Sequence, residues 1–181
     1  MNTVQNLILI GYRATGKTSL ARLLAEKLGV SWYDSDVLIE TQAGKSIAKI
    51  FAEEGEPFFR DREAEQIEKI VHDSEQTGKR IVLATGGGAI LRESTRSFLK
   101  SHGLVVWLTA SKETIHRRMM QDATTASRRP DLTTLPAEQE IAMLLEKREP
   151  FYRETAHMIL DTENDSLENL VEKILKAPEW L

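Results

Sequence analysis

The chain has 181 residues and a formal net charge of −4, and 41% of its residues are hydrophobic, a balance typical of one globular domain with its own core. Without a basic surplus, nucleic acid is not expected as a partner, because phosphates need cations to neutralise them. The sequence has no cysteine, which excludes disulfides and thiolate chemistry, and it shows neither a signal peptide nor a membrane span, so we expect a cytoplasmic protein with no membrane partner.

The first predicted elements are a short buried strand, Asn6–Ile10, a glycine loop, Gly11–Thr18, and a helix that stops at Gly29. The loop fits the pattern G-x-x-x-x-G-K-[ST] in its strand–loop–helix context, which favours a phosphate-binding P-loop over a chance turn carrying a lysine. Backbone N–H groups and the helix N-terminus would then hold the β-phosphate. Lys17 would contact the β- and γ-phosphates, and the Thr18 hydroxyl would ligate Mg²⁺.

A second strand, Val30–Tyr33, leads into Asp34-Ser35-Asp36. If the strand continues that far, Asp34 and Asp36 project from the same face. Two carboxylates beside a P-loop suit metal binding and proton acceptance, although a solvated turn with an Asx cap is the alternative.

Helical spacing resumes at Ser46 and stops at Gly55, and Pro57 is suited to the first turn of a further helix. Arg60 lies near that helix start, and local sequence alone indicates an ordinary surface arginine. A third buried strand, Ile81–Ala84, runs into Gly86-Gly87-Gly88. Three glycines at a strand end predict a loop whose backbone lies against a ligand, with a flexible turn as the alternative.

The second half alternates helices and strands up to a last helix, with these predicted elements in order: helix Glu93–Ser101, strand Leu104–Leu108, a helix capped by Ser111, a helix from Pro136 to Arg148 with Pro150 soon after, strand His157–Asp161 and helix Leu167–Ile174. Between them, Gln121–Thr134 is polar and contains Arg128-Arg129. Such a segment predicts a lid over the nucleotide site, or else a disordered insertion.

Five strands alternating with helices predict an α/β fold, a three-layer α/β/α domain with a five-stranded, mainly parallel sheet. Ligands of such sheets bind outside the carboxyl ends of the strands. Because the P-loop, Asp34, Asp36 and Gly86–Gly88 all follow strand ends, we expect them to converge on one crevice.

From about Leu7 to Lys176 the chain resembles the shikimate kinases, P-loop small-molecule kinases. The motifs that carry the resemblance are Gly11–Thr18, Asp34-Ser35-Asp36, Phe59-Arg60, Gly86-Gly87-Gly88, Arg129-Pro130, and Lys147-Arg148 through Phe151-Tyr152-Arg153. The P-loop alone is shared by many families, whereas the whole ordered set is specific. The resemblance implies one domain over residues 1–181, with substrate-binding helices at about 36–62 and a mobile lid at about 121–135.

The resemblance also implies the reaction: ATP-dependent phosphorylation of the 3-hydroxyl of shikimate, in the route to chorismate and the aromatic amino acids, by a monomer. Asp36, Lys17 and Arg129 would be catalytic, with Asp36 binding the reacting hydroxyl and accepting its proton. Mg²⁺ would be held by Thr18 and Asp34. ATP would be bound by Gly11, Ala14, Thr15, Gly16, Lys17, Thr18, Ser19, Arg118 near adenine and Arg129 at the phosphates. Shikimate would be bound by Asp36, by Gly86, Gly87 and Gly88, and by Arg60 and Arg148 at its carboxylate, with Glu63 supporting the arginines.

Three positions depart from the family pattern. Ala14 replaces a usual glycine, the segment from Arg118 to Arg129 is long, and Asp131 stands where an apolar residue is common. These departures concern ATP affinity and lid kinetics. Another P-loop kinase, such as gluconate kinase, is the alternative. A GTP-driven switch would carry Asn-Lys-x-Asp, which does not occur here, and a nucleic-acid motor would need a basic surface.

Overall fold

The computed structural model describes residues 6–121 and 135–177. Its five-stranded sheet has the order β2-β3-β1-β4-β5, and every neighbouring pair of strands is parallel. The strands are β1 (Asn6–Ile10), β2 (Ser31–Asp34), β3 (Ile81–Ala84), β4 (Gly103–Thr109) and β5 (Met158–Asp161). The predicted α/β fold with a five-stranded parallel sheet is confirmed.

Helices follow the strands and cover the sheet. Those of the described residues are α1 (Lys17–Leu28), α2 (Ser35–Ala43), α3 (Ile47–Thr77), α4 (Glu93–His102), α5 (Lys112–Gln121), α6 (Ala137–Thr155) and α7 (Leu167–Leu175), with a 3₁₀ turn at Ala89–Leu91. None of the helices in these ranges is long and apolar enough to cross a membrane. Residues 122–134, which contain Arg129 and nearly all of the predicted lid, lie outside the described residues.

The hydrophobic core is built around the central strand β1, all five residues of which are buried. Successive side chains of a strand point to opposite faces. Leu7 and Leu9 therefore pack with α1 and α7, whereas Ile8 and Ile10 pack with α3 and α4. Helices on both faces of the sheet give the three predicted layers.

Strand β2 ends before Asp36, although a shared strand face for Asp34 and Asp36 would require it to continue that far. Helix α2 begins at Ser35, so Asp34 and Asp36 do not lie on one strand face. Asp34 is the N-cap of α2, and its Oδ1 accepts hydrogen bonds from the N–H groups of Asp36 (3.1 Å) and Val37 (3.3 Å). An aspartate favours this position because it satisfies N–H groups that have no partner within the helix.

Two of the helices contain a proline, and only one of them is interrupted near it. In α3, Gly55 interrupts the helix with φ 84° and ψ 164°, and Pro57 lies in the turn that follows, where a missing N–H is tolerated. Helix α6 instead continues through Pro150 to Thr155, beyond the end expected near Arg148. The extension matters because it places Tyr152 one turn after Arg148, on the same face of the helix.

Candidate active site

The P-loop joins β1 to α1 in a tightly turned path. Gly11 has φ 144°, and a Cβ there would lie 2.4 Å from the carbonyl oxygen of Leu108. Gly16 caps α1 with φ 92°, and Ala14 has φ 60°, the one positive φ among the described non-glycine residues. A left-handed alanine costs roughly 1–2 kcal/mol relative to its ordinary conformation. Ala14 nevertheless keeps the left-handed conformation at this position, where a glycine is usual.

Two side chains stabilise the loop from within. The Lys17 ammonium donates hydrogen bonds to the carbonyl oxygens of Gly11 (2.8 Å) and Tyr12 (2.7 Å). The Thr15 hydroxyl donates to the Tyr12 carbonyl at 2.8 Å. Lys17 is buried although it is charged, so it is held at the loop rather than extended into solvent. Ser19 is exposed in the first turn of α1.

Thr18 and Asp34 meet at the edge of the P-loop. The Thr18 hydroxyl donates to Asp34 Oδ2 at 2.7 Å, while Asp34 Oδ1 caps α2. A hydroxyl and a carboxylate are hard oxygen ligands of the kind that Mg²⁺ takes together with phosphate oxygens and water. The residues present therefore fit the metal that the sequence predicts.

Arg118 lies on the far side of the P-loop, at the end of α5. Its guanidinium donates to Thr162 Oγ1 (2.9 Å) and to the Thr162 carbonyl (2.7 Å). A longer contact of 3.4 Å reaches the Ala14 carbonyl. Arg118 is thus fixed between the end of β5 and the P-loop.

A pocket opens beside the P-loop, whose residues Tyr12 and Arg13 form part of its lining. Asp36, Arg60 and Arg148 all line it, although they come from three different helices. The remaining lining is Tyr12, Arg13, Ile47, Phe51, Phe59, Glu63, Gly86, Gly87 and Gly88. The predicted acceptor residues are therefore brought together.

The three glycines each allow a different close approach. A Cβ on Gly86 would lie 2.2 Å from Glu63 Oε1 and 2.5 Å from Asp36 Oδ1. One on Gly88 would lie 2.3 Å from the Arg60 guanidinium, and one on Gly87 would lie 3.3 Å from the P-loop nitrogen of Arg13. Real Cβ atoms do not come as close as the distances at Gly86 and Gly88, and the contact at Gly87 would be tight. The glycines therefore keep the carboxylates, the arginine and the P-loop packed around one loop.

Arg60 is fixed by two carboxylates of its own helix. Its Nη1 donates to Glu63 at 2.6 Å, and its Nη2 donates to Glu56 at 3.0 Å. Its Cζ also lies 5.1 Å from the ring centre of Phe59, within cation–π range. A local surface arginine would be exposed, whereas Arg60 is 9% exposed.

The buried carboxyl group of Glu63 has a raised pKa. Burial raises the pKa of Glu63 to about 7, and the nearby Asp36 charge raises it too, while Arg60 acts in the opposite direction. Oε1 of Glu63 has no hydrogen-bond partner among the described residues. A carboxyl group that titrates near neutrality beside Arg60 makes the charge of this pocket sensitive to pH.

Arg148 is held by contacts with the glycine loop and with the P-loop. Its Nη1 donates to the Gly87 carbonyl at 3.3 Å, and its Cζ lies 5.6 Å from the ring centre of Tyr12. The Tyr152 hydroxyl donates to the same Gly87 carbonyl at 2.6 Å. Burial raises the pKa of Tyr152, so this phenol stays a neutral donor.

Sequence patterns missed four residues of this region: Arg13, Glu56, Glu140 and Tyr152. One signal was present for two of them, because Glu140, Leu144, Arg148 and Tyr152 are spaced four apart, and such residues lie along one helix face. All four of those α6 residues are buried. Arg13 forms a buried ion pair with Glu140, and nothing in its local sequence distinguishes it from an ordinary loop arginine.

The chain is similar to known shikimate kinases along nearly its whole length. The family model described as shikimate kinase matches residues 13–179. The shikimate kinase of Rhodopirellula baltica is 43% identical over 173 residues, covering 96% of this chain and 90% of the relative. That of Syntrophus aciditrophicus is 41% identical over 183 residues, covering 97% of this chain and 91% of the relative.

Comparison with solved structures also finds a shikimate kinase. The shikimate kinase from Acinetobacter baumannii in complex with shikimate matches with a TM-score of 0.85 at 39% identity, over 96% of this chain and 92% of that one. A gluconokinase from Sinorhizobium meliloti matches with a TM-score of 0.56 at 14% identity, over 97% of this chain and 91% of that one. At that identity the second likeness concerns the fold alone.

Proposed function

Because the chain belongs to the shikimate kinase family, and is thus an ATP-using kinase that phosphorylates shikimate, we propose that the pocket beside its P-loop binds shikimate. The observation that carries this assignment is the convergence of Asp36, Arg60 and Arg148 on one pocket. Gly87 joins that pocket to the P-loop, since its backbone packs against Arg13. Acceptor and phosphate donor would therefore lie side by side.

The two arginines bind the shikimate carboxylate. A guanidinium presents a planar fork of N–H donors that matches a carboxylate, and the charged hydrogen bonds are strong where water is excluded. Arg60 and Arg148 are 9% and 5% exposed and are oriented by Glu63 and by Gly87 respectively. Their fixed orientation means that the acceptor meets them with little reorganisation.

Asp36 receives the 3-hydroxyl of shikimate. It lies in the first turn of α2 beside Gly86 and lines the same pocket as the two arginines. The hydroxyl oxygen attacks the γ-phosphorus, the bond from that phosphorus to the ADP oxygen breaks, and the hydroxyl proton passes to Asp36. Alignment and charge neutralisation carry most of such a transfer.

The nucleotide side is assigned to the P-loop and its neighbours. Loop N–H groups hold the phosphates, Lys17 neutralises charge on the β- and γ-phosphates, and Arg118 lies near adenine. Thr18 and Asp34 would hold Mg²⁺, which supplies charge neutralisation at the phosphate oxygens. We assign Arg129, outside the described residues, to the phosphates as well.

We further propose a cytoplasmic monomer, in line with the composition. Gluconate also carries a carboxylate that Arg60 and Arg148 could bind, so the preference for shikimate rests on membership of the family.

A coupled assay for ADP release tests the proposed function, with shikimate, quinate and gluconate offered side by side. We expect turnover with shikimate and much less with the other two. Faster turnover with gluconate would refute the assignment of the pocket.

A further inference from the structure

The P-loop carries a second cation besides Lys17. The Arg13 Nη2 donates a hydrogen bond to Glu140 Oε1, between residues 127 positions apart in the chain. Arg13 and Glu140 are 9% and 2% exposed. A guanidinium whose charge is already matched by a buried carboxylate is directed at helix α6, and its role therefore differs from that of the phosphate-binding groups of the loop.

The neighbouring P-loop residue contacts the same helix. The ring of Tyr12 lies between two cations: its centre is 5.5 Å from the Arg13 Cζ and 5.6 Å from the Arg148 Cζ. Both guanidinium groups are within cation–π range of that ring. Two consecutive residues of the nucleotide loop, Tyr12 and Arg13, thus contact two residues of α6, Arg148 and Glu140.

Polar contacts hold helix α6 at two places, and between them Ile141 and Leu144 pack against Tyr12 and Ile115. Glu140 lies in its first turn, and Arg148 lies eight residues further on, which is about 12 Å along the axis. The later point is fixed to Gly87 by Arg148 and Tyr152. The earlier point is fixed to the P-loop by Arg13. Apolar packing restrains position less specifically than a directed hydrogen bond, so without the earlier polar contact we expect the helix to shift slightly and Arg148 to move with it.

A net gain in stability does not account for this pair. Buried ion pairs are often replaceable by apolar residues without loss of stability, because both charges lose their hydration. A directed, hydrogen-bonded pair does fix orientation. We propose that Arg13 is a positioning residue for the acceptor: its ion pair with Glu140 holds α6, and with it Arg148, in register with the P-loop. The inference rests on the proposed function, in which Arg148 binds the shikimate carboxylate.

A double-mutant cycle tests the proposal on the full chain, with Arg13→Met, Glu140→Leu and the double variant. Calorimetric titration with shikimate gives the acceptor Kd, and the coupled assay gives the KM for ATP. We expect each variant to bind shikimate about tenfold more weakly, as for the loss of one charged hydrogen bond, with an unchanged KM for ATP. Because Arg13 acts through Glu140, the double variant should bind shikimate as each single variant does.

The controls separate this role from a structural one. Each single variant removes one partner of a buried ion pair, which is destabilising, whereas the double variant removes both charges and is expected to retain the fold. The double variant therefore carries the test if the single variants do not fold. Arg153→Met is the matched control, because Arg153 pairs with Glu149 on the same helix while both side chains are more than half exposed. Its Kd for shikimate should equal that of the wild type.

Three outcomes would overturn the proposal. An unchanged Kd for shikimate in the double variant, even with a lower Tm, would make the pair purely structural. A raised KM for ATP in Arg13→Met would assign Arg13 to the nucleotide. Losses that add in the double variant would mean that Arg13 contacts the acceptor directly. The wild-type titration keeps the proposed function separate: if shikimate neither binds nor turns over there, the proposed function itself fails, and this inference with it.

Discussion

Replacing Gly88 by alanine should damage acceptor binding while sparing the nucleotide. A Cβ at this position would lie 2.3 Å from Arg60 Nη2 and 2.4 Å from its Cζ. Since ordinary contacts are about 3.5 Å, the guanidinium must retreat by about 1 Å. The backbone of Gly88 has a negative φ of −105°, so alanine adds no conformational strain there. The substitution therefore acts through the displaced arginine.

A displaced Arg60 guanidinium can no longer donate a well-aligned hydrogen bond to the carboxylate of the acceptor. The loss of one charged hydrogen bond costs about 1.5–3 kcal/mol, which corresponds to a fall of about 10- to 100-fold in kcat/KM for shikimate. The coupled assay measures this value with shikimate varied, and it measures the KM for ATP in a second series. We expect the second value to stay unchanged, because Gly88 does not line the P-loop.

Gly44→Ala is the control for replacing a glycine. Gly44 ends α2 with φ 64°, and no atom lies within 4 Å of its added Cβ, so this variant should lose stability through backbone strain without a change in kinetics. If Gly88→Ala matches the wild type in kcat/KM, Arg60 does not bind the acceptor. If it raises the KM for ATP as much as that for shikimate, the glycine loop serves the nucleotide.

Three further predictions concern single side chains. Lys17→Ala should nearly abolish turnover in a protein that circular dichroism shows to be folded, because the cation at the γ-phosphate is lost; normal activity would remove the P-loop assignment. Asp36→Asn should lower kcat by roughly 10²–10⁴-fold with ATP binding retained, and the reverse pattern in steady-state kinetics would assign Asp36 to the nucleotide. Burial raises the pKa of Glu63 from its ordinary value of 4.5 to about 7 in the folded state. The folded state therefore binds a proton more readily than the unfolded chain, and the contribution of Glu63 to stability should fall as the pH rises from about 4.5 to about 7. Thermal melts of Glu63→Gln should lack this decline relative to the wild type, and parallel pH curves for the two proteins would contradict the raised pKa.

Local patterns predicted the sheet well because each strand is a short apolar run bounded by turn residues. The predicted strand bounds differ from those observed by one residue at most. Helix ends were harder to predict where a side chain decides them. Asp34 caps α2 and so ends β2 before Asp36 is reached, and this choice between strand and cap depends on two hydrogen bonds to one side chain. Pro150 did not end α6, since packing of Tyr152 and its neighbours continues the helix.

The site was predicted in part from residues and in part from resemblance. Pattern alone identified the P-loop, the Asp34–Asp36 segment and the three glycines, because such residues follow strand ends. Local sequence could not show that Arg60 and Arg148 are buried, because the glycine loop that contacts both is distant from them in the sequence. Arg13 and Glu140 are 127 residues apart, and only the folded chain brings this pair together.

The most direct test of the acceptor site compares shikimate with its methyl ester in wild-type protein. If Arg60 and Arg148 bind the carboxylate, the ester should have a kcat/KM at least about tenfold lower, because two buried cations lose their anion while the reacting hydroxyl is unchanged. The gap between acid and ester should shrink in Arg60→Ala and in Arg148→Ala and should persist in Arg118→Ala. Equal turnover of acid and ester by the wild type would contradict carboxylate binding in this pocket.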